Sequence, residues 1–93
     1  MTMKSLSKAN AVLSHASDLL HGDRQSDYGS PAVNFGRLSE RFSQHVGAKV
    51  EPWQAALLLA ELKLSRLANG YHADSVVDAI AYLALVEELR DDA

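Results

Sequence analysis

The segment from Pro52 to Asn69 constrains the fold more than any other, because its leucines leave no polar side. Trp53, Leu57, Leu58, Leu59, Leu62, Leu64 and Leu67 run nearly all round a helix of ordinary pitch. Proline stands just inside its start, where the missing N–H has no intrahelical partner to lose, and Asn69-Gly70 suits a left-handed C-cap at its end. A helix of this kind cannot keep most of its sides in water. It is expected at the centre of a bundle or in a subunit interface, and a dimer is the economical arrangement.

Three further helices fit around it. Leu6, Ala9, Leu13, Ala16 and Leu20 share one face of a first helix, with Val12 and Leu19 beside them, while Lys8, Ser14, Asp18 and His21 face away and Gly22 ends the run. Ser30 followed by Pro31 marks a second start, since the hydroxyl accepts an orphan amide proton and proline tolerates the first helical position. Phe35, Leu38, Phe42 and Val46 then recur at helical spacing until Gly47. The last helix is predicted to begin at Asp74 or Ser75 and to turn Val77, Ile80, Ala81, Ala84, Leu85 and Leu89 inward, ahead of an acidic tail from Glu87 to Asp92. The expected fold is all-α, a four-helix bundle of two helical hairpins forming one domain over residues 1–93.

Composition narrows the class. A chain of 93 residues with 47% hydrophobic content has ample material for one core, yet a domain this small leaves much of its surface exposed as a monomer. Self-association is expected on that ground as well. The formal charge of −3, from nine Lys and Arg against twelve Asp and Glu, argues against a nucleic-acid backbone as the main partner. With no cysteine there is no disulfide framework and no thiolate nucleophile or ligand, which suits a reducing cytosol. No apolar run approaches the roughly 18 residues of a membrane span, and Lys4 and Lys8 have no long apolar segment behind them, so neither a signal peptide nor a membrane anchor is expected.

Few residues remain that can carry chemistry. Asp78 begins a seam continued by Tyr82, Leu85 and Leu89, and a carboxylate on an apolar seam needs a partner. Lys63 and Arg66, three apart in the leucine-rich helix, share a face that can meet Asp78 across a helical hairpin. Two structural readings stand beside this one: Ser75-Val76-Val77-Asp78 matches the Ser-x-x-Asp capping pattern, and Lys63 can extend its ammonium past an apolar stem into solvent. The guanidinium of Arg66 suits an anionic partner, phosphate or carboxylate. Between Gly22 and Ser30 lies GDRQSDYGS, a loop in which Arg24 and Tyr28 offer an anion fork and an aromatic face, or else clamp a helix terminus and plug the core. His72 with Asp74, at the mouth of the last helix, is a further candidate for ligand contact, with solvated loop residues as the plainer reading.

Other chemistries find no support. His15 and His21 are six apart, and no His-x-x-x-His or Glu-x-x-His spacing occurs, so no metal site is expected; Asp23 and Asp27 alone are a weak ligand set. There is no Gly-x-Ser-x-Gly elbow and no Walker or dinucleotide-type glycine pattern.

Two resemblances follow from these residues. Gly22-Asp23-Arg24-Gln25 with Tyr28-Gly29, then Asn34-Phe35, Lys63 and Arg66, His72-x-Asp74, Asp78 and Tyr82 resemble a family of small, uncharacterised phage and prophage proteins over roughly residues 11 to 89. More distantly, the helix Ser75-Val76-Val77-Asp78-Ala79-Ile80-Ala81-Tyr82-Leu83 is similar to the Glu-x-x-Asp-Val-x-x-Tyr-Leu helix of MazG-type all-α nucleotide pyrophosphohydrolases. In those enzymes a Glu-x-x-Glu helix completes a magnesium site beside a nucleoside triphosphate. Here Asp78 and Tyr82 match, Ser75 replaces the first acid, and Glu61 stands alone with Leu58 and Leu64 where a second glutamate would be. Magnesium beside polyphosphate wants a carboxylate cluster, and most of that cluster is gone.

The resemblance therefore implies a MazG-like, oligomeric nucleotide-pocket scaffold without its hydrolytic apparatus. Arg24, Lys63 and Arg66 would contact phosphate, Tyr28 or Trp53 would stack on a base, and Asp78 would orient a cation or a ligand hydroxyl, with Tyr82, His72 and Asp74 nearby. The expected ligand is a nucleotide or nucleotide-derived molecule, with no catalytic residue, no resident cofactor, and no nucleic-acid or membrane partner. For a phage-encoded chain in the host cytoplasm, sequestration of a host immune signalling nucleotide is the specific version. The alternatives are a magnesium-dependent pyrophosphohydrolase whose site is rebuilt from Asp23, Asp27, Asp74 and Asp78, and a protein-interaction module working through the apolar helix.

Overall fold

The structure is a computed structural model, and it describes residues 3–21 and 30–90. A 3-10 turn, Met3–Leu6, leads into α1, Ser7–His21. Then follow α2, Pro31–Val46, α3, Pro52–Ala68, and α4, Ala73–Leu89. The described residues contain these helices and no strand.

Most helix ends are made by the residues expected to make them. Ser30 has extended backbone angles and its Oγ accepts the Val33 N–H at 3.3 Å, with Pro31 at the first helical position. Gly47 closes α2 in the left-handed region, φ 72°, and its N–H donates to Ser43 O at 3.0 Å. The short passage into α3 is pinned by Ser43, whose hydroxyl accepts the Val50 N–H at 2.8 Å and donates to Ser39 O at 2.7 Å. Glu51 precedes α3 and donates its N–H to Gln54 Oε1 at 2.8 Å, one arm of a capping box. Gly70, φ 143°, turns the chain after α3.

The start of α4 differs from the expected Asp74 or Ser75. His72 is the cap: its Nδ1 accepts the Ser75 N–H at 3.2 Å and lies 2.8 Å from Ser75 Oγ. Ser75 therefore sits inside the first turn, fully buried, and the Ser-x-x-Asp capping reading of Asp78 does not hold.

Packing centres on α3 and α4, which lie against each other as an antiparallel hairpin. Phe35 of α2 with Ala55 and Ala56 of α3 forms the buried cluster, covered by Leu38, Phe42, Leu59, Tyr82, Leu85 and Leu89. The Tyr82 ring meets Phe35 edge to face, centroids 6.4 Å apart. α2 lies mainly on α3, while α1 lies on α4 and makes no close approach to α2. Only one of the two expected hairpins is thus formed, and the helices follow the order α1, α4, α3, α2.

Several side chains assigned to the core lie outside it. Ala16 is the buried residue of α1, flanked by half-buried Val12, Leu19 and Leu20, whereas Leu6, Ala9 and Leu13 are exposed. Val46 and Ala84 are exposed too, at positions where α2 and α4 have run past their neighbours. In α3 it is Ala55, Ala56 and Ala60 that are buried, while Leu58, Leu62 and Leu64 face solvent. Alanine at the contact lets α3 and its neighbours approach closely, which pushes the larger leucines to the outer sides.

Candidate functional site

The charges set in apolar helices meet at one place. Lys63 and Asp78 stand at matching depth on either side of the α3–α4 connection, and Lys63 Nζ lies 3.0 Å from Asp78 Oδ2. The side chains are only 17% and 18% exposed, so both charges have lost most of their water and each depends on the other. An ammonium carries three donors, and one of Lys63's is directed at Asp78. The remainder are available to a further oxygen.

Arg66 follows Lys63 three residues on, in the last turn of α3, where the helix dipole favours positive charge. It is exposed and forms no ion pair with any described residue. Tyr82, one turn beyond Asp78, is half-buried and gives its ring to the contact with Phe35, which makes it part of the floor beside the pair. His72 commits Nδ1 to capping α4, and Asp74 is exposed in the first turn, where a carboxylate complements the helix N-terminus. Of the ligand contacts expected from sequence, Lys63 and Asp78 are brought together directly. Arg66 shares their helix face, Tyr82 packs beneath, and His72 and Asp74 shape the helix start. Arg24 and Tyr28, with Asp23 and Asp27, lie outside the described residues.

The carboxylate cluster of a MazG-type centre is not assembled by the described residues. Glu61 is exposed on α3, Asp78 is engaged by Lys63, and among the described residues no three His, Asp or Glu side chains gather where they could share an ion.

A second concavity was not singled out by the sequence. Where α2 turns into α3, an open cleft of about 490 Å³ is lined by Gly36, Ser39, Glu40, Ser43, Lys49 and Pro52, among others. Its charged rim includes Lys49 paired with Glu51 at 3.3 Å, an exposed contact of the kind that contributes about 0–1 kcal/mol. The signal for the cleft was Gly36, Ser39 and Ser43, small residues stacked on one side of α2.

Among the described residues, no helix is long and apolar enough to cross a membrane. A family model described as Domain of unknown function (DUF6378) matches residues 11–90. The Gene 55 protein of Mycobacterium phage D29 is 31% identical over 85 residues, which cover 90% of this chain and 56% of the phage protein. The Gene 55 protein of Mycobacterium phage L5 is 30% identical over 82 residues, covering 86% of this chain and 53% of that one. The chain thus spans about half the length of the curated relatives it matches. No solved structure matches it.

Proposed function

We propose, from the premise that this chain belongs to the DUF6378 family and has relatives in mycobacteriophages, that it binds a phosphate-bearing small molecule of nucleotide type without turning it over. The observation that carries the reading is the half-buried Lys63–Asp78 pair with an unpaired Arg66 one turn along the same face. As pure architecture such a pair is a poor choice, since apolar residues of similar volume usually hold helices together as well or better. As a docking point it has a use. Lys63 presents its spare donors to a phosphate, Arg66 adds a planar fork, and Asp78 accepts a ligand hydroxyl.

Trp53 and Lys63 are separated by about 15 Å of helix rise, so base stacking falls to Tyr28 of the loop, with Arg24 as a second guanidinium. The phage origin of the relatives supports sequestration of a host signalling nucleotide as the biological setting.

The test is thermal unfolding of the purified chain against mono-, di-, tri- and cyclic nucleotides, with and without magnesium, and product analysis of every hit. A ligand at 100 times its dissociation constant adds about 2.7 kcal/mol of stability. The expected result is a shift with the ligand recovered intact, abolished in Arg66→Ala while the helical signal stays unchanged. A magnesium-dependent product would replace binding with hydrolysis, and a panel that moves nothing would overturn the nucleotide reading.

A further inference from the structure

The outer side of α3 has no occupant within the chain. Leu58 and Leu62, one helical turn apart, are 45% and 55% exposed, on the side of α3 turned away from the Lys63–Asp78 contact and hence from α4. Ser65 continues the same row toward the C-terminus, and half-buried Gln54 precedes it, so nothing bulky or charged interrupts the approach of another helix along that line.

The surface of the whole chain carries the same message. It exposes 6806 Å², roughly 1,500 Å² more than the area of about 5,300 Å² that a compact monomer of this mass retains. Its radius of gyration is 14.8 Å, against about 12 Å for a compact domain of this length. The open order α1, α4, α3, α2 accounts for both, since the helices form a curved layer instead of closing around a common axis. The buried apolar residues are alanines apart from Phe35, so the leucines have not found their cover inside the protomer. A standard association takes about 800 Å² from each partner. The excess area is large enough to supply it.

We infer that the outer row of α3 is the centre of a symmetric homodimer in which the two α3 helices pack antiparallel, Leu58 of each copy against Leu62 of the other. A second copy is the occupant that fits, because an isologous contact needs a patch complementary to itself and a short leucine row flanked by small and neutral residues is one. Antiparallel packing follows from charge. A parallel pair would bring Glu61 beside Glu61 and align two helix dipoles, whereas the antiparallel pair separates the acids and opposes the dipoles. This dimer rests on no part of the ligand reading.

Sedimentation and light scattering of the full chain read the mass directly, with 10.1 kDa as the protomer. The dimer is expected for the native chain. Leu62→Glu would sit exposed in the monomer and charged at the centre of the interface, so it should raise the dimer dissociation constant on the order of 100-fold with helicity kept, while Val46→Glu leaves the mass unchanged. The absence of native cysteine gives an orientation test that does not depend on the glutamate variant folding. Separate Leu58→Cys and Leu62→Cys chains should form a disulfide-linked heterodimer when mixed under mild oxidation, and little covalent dimer when oxidised apart. A native chain that stays monomeric at high micromolar concentration would overturn the proposal, as would a Leu62→Glu variant that remains fully dimeric. Cross-linking of each cysteine chain to itself but not to the other would overturn the antiparallel geometry.

Discussion

Lys63 and Asp78 illustrate what a pair of residues reveals before a structure exists. Each was conspicuous because it interrupted an apolar helix, and the helical period alone set both on faces able to meet; the 3.0 Å contact is the consequence. A double-mutant cycle of Lys63→Met and Asp78→Ala, read by urea unfolding, should give a coupling of about 1–2 kcal/mol. That lies below the 3–5 kcal/mol cost of breaking a fully buried pair, because residual solvent contact screens both charges. Either single variant should cost more than the double variant predicts by addition, since each strands the other charge. The alternative role of Asp78 in a capping box was equally legible and did not survive. Histidine is an unusual helix cap, and Ser75 matched a familiar pattern, so the hydrogen bond that places His72 outside the helix and Ser75 within it left no clear mark in the sequence.

The ends of α2 and α3 were the most transparent features at the level of elements. Serine before proline, glycine after an apolar run and proline at a first turn act through backbone chemistry that neighbouring helices scarcely alter. Gly47 carries a testable share of this. A Cβ added there meets no atom within 4 Å, so Gly47→Ala is unfavourable for its left-handed backbone alone. It should lower stability by about 1 kcal/mol, seen as a reduced urea midpoint with unchanged slope. Which part of an apolar stripe is covered was less transparent. In α1 the stripe is wider than the strip that touches α4, so periodicity could not choose between Leu13 and Val12; in α3 the choice of alanine over leucine as contact surface depended on how closely the helices approach.

The arrangement of the whole molecule was the hardest to read. Helices adjacent in sequence are usually adjacent in space, and that expectation produced two hairpins. It holds for α3 and α4. The segment between α1 and α2 is long enough to let α1 cross to α4 instead, and no local signal distinguishes those two routes. The candidate site was legible in part for the same reason. Lys63 and Asp78 belong to the hairpin whose geometry is local, while the position of Arg24 and Tyr28 depends on a connection that helical periodicity does not describe.

The attachment of α1 has a consequence for how the molecule comes apart. Ala16 is the buried residue on that helix, and α4 is the helix it leans on, whereas α3 and α4 hold each other along their length. Amide hydrogens in α1 should therefore exchange with solvent through a partial opening that leaves α3 and α4 protected, with an opening free energy well below that of global unfolding. Pulse-labelled exchange followed by mass spectrometry would show two separated protection classes, α1 in the lower one. Uniform protection across the helices would mean that α1 is bound as firmly as the hairpin. With two classes, the native basin contains a three-helix species in rapid balance with the four-helix one, and anything that recognises the uncovered side of α4 has a route to it without unfolding the rest.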